Sequence, residues 1–582
     1  MARDRAEVTH ALRGSFVTAV AAVNALWAAH IVRSLLDAGV KHFVVSPGSR
    51  STPITLAIAK AESDTGVKVS VVLDERVAAF VALGSTVAGC RAALLCTSGT
   101  AGAHYLPAVI EASYAEVPLV VCTANRPPEL HGCGAPQTID QASLYAPYVR
   151  ARFAFGPPES DALPKLKELE VHAFKVPGPI HLDFAFREPL WSEEVGAGLF
   201  EASAHRSGLP DGQPFIDRPA IRAALLEVIG LRELPQRTLV VAGARAALVA
   251  GPAPAGWAVL ADAASNLRAL STCISAYDVI LRVPSLMSRL KPDLILCAGA
   301  VPASRQAQDF LSRTDGPMKI LLGRHHESQD PGRTASGHVD VALTAMLDAL
   351  CEAPPASDFI AAWQLAEETA RTTLDAACDE GFWSGAVVST LDSELGARPV
   401  HLASSMPIRD FDHFTGRAPI GRRVFAHRGT NGIDGTIASS LGESLALGGS
   451  TVTVLLGDVA YQHDLGSLAA TRGLEIRLVL VVVNNGGGAI FGHLGISRHP
   501  SAFERFFLTP PQVDIEATAR ACGASHVGVT DRTSLASALR AAYADTRFGV
   551  TVIECRVDRR YDEVRHKDAH TAAITALTNL KL

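Results

Sequence analysis

The residues best suited to chemistry sit at two strand ends in the last third of the chain. A β-branched run, TVTVLL, ends in Gly457-Asp458; a second run, RLVLVVV, ends about 26 residues on in Asn484-Asn485-Gly486-Gly487. That separation is the length of one β-α-β crossover, roughly 30 residues. Its right hand returns the second strand parallel to the first, so both polar ends face one spot. A carboxylate, a side-chain amide and an exposed glycine carbonyl offer hard oxygens there. Such a set suits Mg²⁺, which wants near-octahedral oxygen ligands and usually bridges to phosphates, and the glycines let backbone approach a diphosphate closely. Alone, Asp458 would read as a helix cap and Asn-Gly as a turn. At this spacing the pair reads as a metal and phosphate site.

Elements able to position such groups recur along the chain. The first third holds HFVVSPGSRS, KVSVVLDERVAAFVALG, AALLCTSGTAGAHY and VPLVVCTANRPPEL; TLVVAGARA, GWAVLADAAS, PDLILCAGAVPAS and MKILLGRHH follow. The last third repeats the pattern with ARPVHLASSMPIRD, TVTVLLGDVA, IRLVLVVVNNGGGAIF and GVTVIECRV. Nearly continuous Val/Leu runs are strands buried on both faces, the mark of a parallel sheet covered by helices. Ligands bind such sheets at the carboxyl ends of the strands. Periodicity is lost around residues 187–220 and near 352–358, where Pro and Gly accumulate. The fold class is therefore α/β, with three consecutive parallel-sheet domains expected over 1–200, 215–352 and 358–582.

Composition narrows the function. The chain has 582 residues, a net charge of −6 and 19% charged residues, with no basic stripe of the kind that tracks phosphate backbones. Nucleic acid is not an expected partner. Ten scattered cysteines without a CxxC pair fit reduced thiols in a cytoplasmic protein. The apolar N-terminal run continues into HIVRSLLDAGVKHFVV, read as the first helix of the first domain behind a short disordered leader. No unbroken apolar stretch argues for a membrane span. HExxH, GxSxG and P-loop motifs are absent, which removes the usual zinc, serine and NTP hydrolases.

Gly-Asp followed by Asn-Asn at this spacing resembles the thiamine-diphosphate signature. The resemblance implies that Asp458, Asn485 and the Gly487 carbonyl hold Mg²⁺, with Mn²⁺ as the alternative, against the cofactor diphosphate. It also implies the three-domain thiamine-diphosphate decarboxylase-like layout. That chemistry calls for a carboxyl group on the pyrimidine ring nitrogen, and Glu75, at a strand end in VVLDERVAAF, is so placed. Ile433, in RGTNGIDG, matches the apolar wedge that bends the cofactor.

The first domain is more specific. SPGSRSTP, DERVAAFVALG, CTSGTAGAHY and TANRPPELHG, with HRGTNGIDG later, closely resemble the 2-succinyl-5-enolpyruvyl-6-hydroxy-3-cyclohexene-1-carboxylate (SEPHCHC) synthase family of menaquinone biosynthesis. The resemblance implies decarboxylation of 2-oxoglutarate and 1,4-addition of the succinyl carbanion equivalent to isochorismate. Two dicarboxylic acids in one pocket call for guanidiniums, which grip carboxylates with a two-pronged fork; Arg50, Arg126, Arg409 and Arg428 match. The family pattern further assigns cofactor contacts to Gly48, Ser405, Ile433, Gly457 and Ile490. It assigns substrate contacts to Ser49, Gln137, Ser405 and Phe491, and Arg305 is the candidate basic residue from the middle domain. Pro136 and His427 stand where the family commonly has Asn, and His427 is read as structural. A homodimer or homotetramer is implied, with the Ala-rich helix IASSLGESLALGG suited to the interface. The alternatives are another thiamine-diphosphate 2-oxoacid decarboxylase or carboligase, or a nucleotide-binding regulatory protein, the latter weakened by the lack of a GxGxxG after a strand.

Overall fold

A computed structural model describes residues 2–159, 178–192, 217–247, 256–323, 329–350 and 355–581, with side chains from residue 19 onward. Most of the expected linker, and part of the second break, lie outside these residues. The chain divides into two compact units, residues 1–212 with 438–448, and 213–437 with 449–582.

The first unit is built on six parallel strands: β1 (His42–Val45), β2 (Lys68–Val71), β3 (Ala92–Cys96), β4 (Val120–Asn125), β5 (Ala151–Phe155) and β6 (Ile180–Ala185). Their order is β2-β1-β3-β4-β6-β5. β1, β3, β4 and β6 are buried throughout, as their unbroken apolar runs require. The first helix runs from Ala2 to Asp37, so the leader expected ahead of it is helical. Its stretch Ala19–Asp37 is long and apolar enough to cross a membrane, with a mean hydropathy of 1.5. In the fold, Ala28, Ile31, Val32, Leu35 and Leu36 form a buried stripe at helical spacing in the core with Phe43, Leu95 and Val120.

The small-residue helix read as suited to a subunit interface packs within this unit against helix Glu75–Val87. A Cβ on Gly84 would lie 1.9 Å from the Ser439 carbonyl oxygen, and one on Gly442 would lie 1.9 Å from that of Val81. Two backbones meet there with no room for a methyl group.

The second unit carries two sheets. The middle one holds β7 (Thr238–Ala242), β8 (Val259–Ala261), β9 (Cys273–Ile274), β10 (Leu294–Ala298), β11 (Met318–Leu322) and β12 (Gly337–Val339), in the order β12-β11-β10-β7-β8-β9. The last holds β13 (Val400–Leu402), β14 (Val424–Phe425), β15 (Thr451–Gly457), β16 (Arg477–Asn484), β17 (Ser525–Val529) and β18 (Gly549–Arg556), in the order β14-β13-β15-β16-β18-β17. All pairings are parallel.

One buried ion pair joins the loop after β8 to helix Met406–Phe414. Arg268 donates to the Asp412 carboxylate at 2.6 Å, with both side chains at most 3% exposed. The same nitrogen also reaches the Asp412 carbonyl, and the other two reach those of Ala261 and Thr415. Asp412 also accepts from the Ala263 backbone N–H and the Tyr277 hydroxyl. Removing one member of such a pair strands the other charge out of water. Arg268→Met is expected to cost about 3–5 kcal/mol, read from urea unfolding; an unchanged midpoint would refute this role.

Candidate active site

The site is built outward from Asp458, the first residue of helix Asp458–His463 at the end of β15. One carboxylate oxygen accepts the backbone N–H of Val459 at 2.7 Å; the other accepts those of Gly486 and Gly487 at 2.9 and 2.8 Å. Burial pushes the carboxyl up to about 6 while these N–H groups pull the other way. Gly486 (φ +79°) and Gly487 (φ +131°) occupy backbone conformations closed to most side chains,. A Cβ on Gly487 would lie 2.3 Å from the Leu508 carbonyl oxygen. Asn484 turns away, donating to Glu554 at 2.7 Å; Asn485 lines the cleft.

That cleft encloses about 560 Å³. It gathers Gly457, Asp458, Asn485 and Gly487 on one side, and Ile433, Ile490 and Phe491 as apolar walls. Carboxylate, amide and carbonyl oxygens beside an open glycine turn fit a hard divalent cation bridging to a diphosphate. Ser405, Arg409 and Arg428 complete the lining. Ser405 holds φ +78° at the start of helix Met406–Phe414, a strained position for a non-glycine residue, and its carbonyl accepts from the Arg409 guanidinium. Burial, then the neighbouring Arg428, lowers the pKa of Arg409. Arg428 keeps a buried Nε with no hydrogen-bond partner. Two crowded guanidiniums with an unused donor form a receptor for anions.

Lining residues that were not anticipated include Asn431, Gln308 and Asp410. Asn431 (φ +62°) shapes the loop before Ile433. Gln308 reaches the cleft from the middle sheet, whereas Arg305 does not: it is 78% exposed and pairs with Asp309. Asp410, adjacent to Arg409, accepts from His566 at 2.8 Å. The His566 ring also bonds the Asp562 carbonyl, and Asp562 in turn accepts two bonds from Ser384 at the cleft wall. Burial opposes charge on His566, but Asp410 and Asp562 outweigh it and raise its pKa to about 9. His427 is buried, edge-on to His401, in keeping with a structural role.

The first unit supplies a second set at the carboxyl ends of its strands. After β1, Gly48 lies so close to Thr97 that a Cβ would meet its side chain at 2.3 Å; Ser49 is exposed. Arg50 is buried and already engaged, donating to the Phe186 carbonyl and the Glu188 carboxylate, with Nε unpartnered. Arg126, after β4, donates to Ser98 and Gln137; burial and then Arg50 lower its pKa. Gln137 is exposed with φ +55°, beside an exposed Pro136. After β2, Asp74 caps helix Glu75–Val87 by accepting from Arg76, so the half-buried Glu75 is left with no capping duty.

Comparisons with known proteins find relatives along most of the chain. Residues 27–144 match the thiamine pyrophosphate enzyme N-terminal TPP binding domain, and residues 411–555 match the C-terminal TPP binding domain. The 2-succinyl-5-enolpyruvyl-6-hydroxy-3-cyclohexene-1-carboxylate synthase of Myxococcus xanthus is 36% identical, covering 95% of this chain and 98% of its own. The protein of that name from Lysinibacillus sphaericus is 34% identical over 86% and 90%. Benzoylformate decarboxylase from Polynucleobacter necessarius shares the fold, with a TM-score of 0.66 at 15% identity over 92% of this chain and 99% of its own.

Two outcomes follow from the site's geometry. Gly487→Ala is expected to displace the turn and abolish Mg²⁺-dependent thiamine diphosphate binding in calorimetric titration; unchanged binding would refute the cradle. The raised pKa of His566 stabilises the fold fully below its ordinary value of about 6.5, and that stability is lost as pH climbs through about 9. The loss is up to about 3 kcal/mol. His566→Gln should flatten this decline in unfolding midpoints measured between those pH values.

Proposed function

Because the chain belongs to the SEPHCHC synthase family of thiamine-diphosphate enzymes, we propose that it joins 2-oxoglutarate to isochorismate with release of CO₂, forming the family's product in menaquinone biosynthesis. The observation that carries this reading is the pairing of a hard-oxygen cradle with two crowded guanidiniums in one cleft. A simple decarboxylase of a monocarboxylic acid has no use for both.

In this reading Asp458, Asn485 and the Gly487 carbonyl would hold Mg²⁺, or Mn²⁺, with the diphosphate, and Ile433 would support the cofactor. Bound there, thiamine diphosphate supplies the electron sink for loss of CO₂ and for the carbon–carbon bond. Glu75 holds a proton between its carboxyl and the pyrimidine ring nitrogen. Arg409 and Arg428 grip substrate carboxylates, chiefly an orientation effect; the buried Arg428 Nε gains the acceptor it lacks. Arg126 and Gln137 serve the second acid, and Ile490 and Phe491 exclude water. Arg50 contributes once it exchanges Glu188 for a substrate carboxylate. The working enzyme is a homodimer or larger homo-oligomer in the cytoplasm; the nine cysteines among the described residues are all free, as a reducing compartment keeps them.

CO₂ release from 2-oxoglutarate should depend on isochorismate and yield the coupled product. Release without coupling would favour the rival decarboxylase. Glu75→Gln should still bind cofactor while product formation falls by about 10²–10⁴-fold; a variant within a few-fold of the parent would sink this assignment of Glu75.

A further inference from the structure

We propose that Asp278, His413 and His570 form a second metal site, separate from the Asp458 cradle, taking a divalent cation of the Zn²⁺ class. The three residues come from distant parts of the sequence. Asp278 lies in helix Tyr277–Ile280 after β9, His413 in the last turn of helix Met406–Phe414, and His570 in helix Arg559–Thr578. Each offers a ligand atom, and these atoms all lie within 4.8 Å of one another. The His413 Nε2 is 3.5 Å from the Asp278 carboxylate, and the two imidazole centroids are 5.2 Å apart.

The Nε2 atoms of both His413 and His570 are buried; that of His413 pairs with Asp278, and that of His570 has no hydrogen-bond partner. An orphaned buried nitrogen costs free energy and needs a reason; that of His570 has one in a cation shared with the His413–Asp278 pair. The surroundings are those of a prepared ligand set. Ser304 donates to the Asp278 oxygen that faces His413, at 2.5 Å, and Arg282 donates to the other at 2.8 Å. Such outer bonds fix a ligating carboxylate. The Phe414 ring stacks on His570 at 5.8 Å, fixing its plane.

Donor chemistry separates the two sites. The Asp458 cradle is all oxygen and suits Mg²⁺, whereas two imidazoles and a carboxylate favour Zn²⁺, Co²⁺ or Ni²⁺. Three protein ligands leave a fourth position for water. With its ligands carried on three packed helices, the ion would be structural. It would tie helix Met406–Phe414, which carries Arg409, to the C-terminal helix and to the element after β9.

Full-length protein stripped with chelator is dialysed against Zn²⁺ in excess Mg²⁺, which occupies the oxygen-donor site, and retained metal is measured per chain. One Zn²⁺ is expected in the parent protein. His570→Gln and His413→Ala should each lose it, with affinity falling more than about 100-fold. Zn²⁺ should raise the melting temperature of the parent but not of His570→Gln. Co²⁺ loaded in the same way should give the intense visible absorption of a nitrogen-ligated, low-coordinate ion, which requires no variant to fold. No stoichiometric Zn²⁺, a weak octahedral Co²⁺ spectrum, or equal retention by the variants would each overturn the site.

Discussion

A single carboxylate holds the catalytic end of the last sheet together. Asp458 spends its oxygens on three backbone N–H groups, one from its own helix and two from the glycine turn that ends β16. Those glycines have no side chains to anchor them and sit in conformations that cost entropy to fix. The Asp458 carboxylate supplies the anchor. Burial works against its charge, and the three donors compensate only in part, so its pKa remains well above the ordinary value. The cradle is thereby shaped before any ligand arrives, which is what a metal and diphosphate site demands of its support.

Strand order shows how the same solution is used twice. Numbered within each sheet, the first and last both run 2-1-3-4-6-5, although no residue-level repeat links them. Each presents chemistry at the carboxyl ends of its strands. In the first, these are Gly48, Glu75 and Arg126; in the last, Ser405, Asp458 and Asn485. The middle sheet follows the 3-2-1-4-5-6 order of dinucleotide-binding folds,, yet its contribution to the cleft is a single amide, Gln308. Its larger role is mechanical, through Arg268 and the charges that seat helix Met406–Phe414.

Much of this was legible from residue order, for physical reasons. Strands buried on both faces leave continuous Val/Leu runs, and a crossover has a fixed length, so Asp458 and Asn485 could be placed together before any coordinates. Every site residue assigned to the last domain lines one cleft. Side-chain direction was less readable. Arg305 opens a short helix with a carboxylate four residues on, so an exposed ion pair holds it in solvent while Gln308, one turn later, reaches inward. Arg50 was read as a substrate contact, but Phe186 and Glu188, about 136 residues away in sequence, already engage it. Asp410 was hidden for the same reason: the histidine that balances it stands in the C-terminal helix. The adjoining Arg409 was the one local signal that could have flagged it.

The interlocked glycines at 84 and 442 carry a consequence for synthesis. The first unit is discontinuous, borrowing residues 438–448 from far downstream. During translation, a unit whose sheet is complete by residue 185 must keep one face of helix Glu75–Val87 uncovered until a segment about 250 residues later leaves the ribosome. At ordinary elongation rates that delay is on the order of tens of seconds. Through that interval the nascent protein displays an apolar groove floored by Gly84, a surface on which cellular chaperones have time to act.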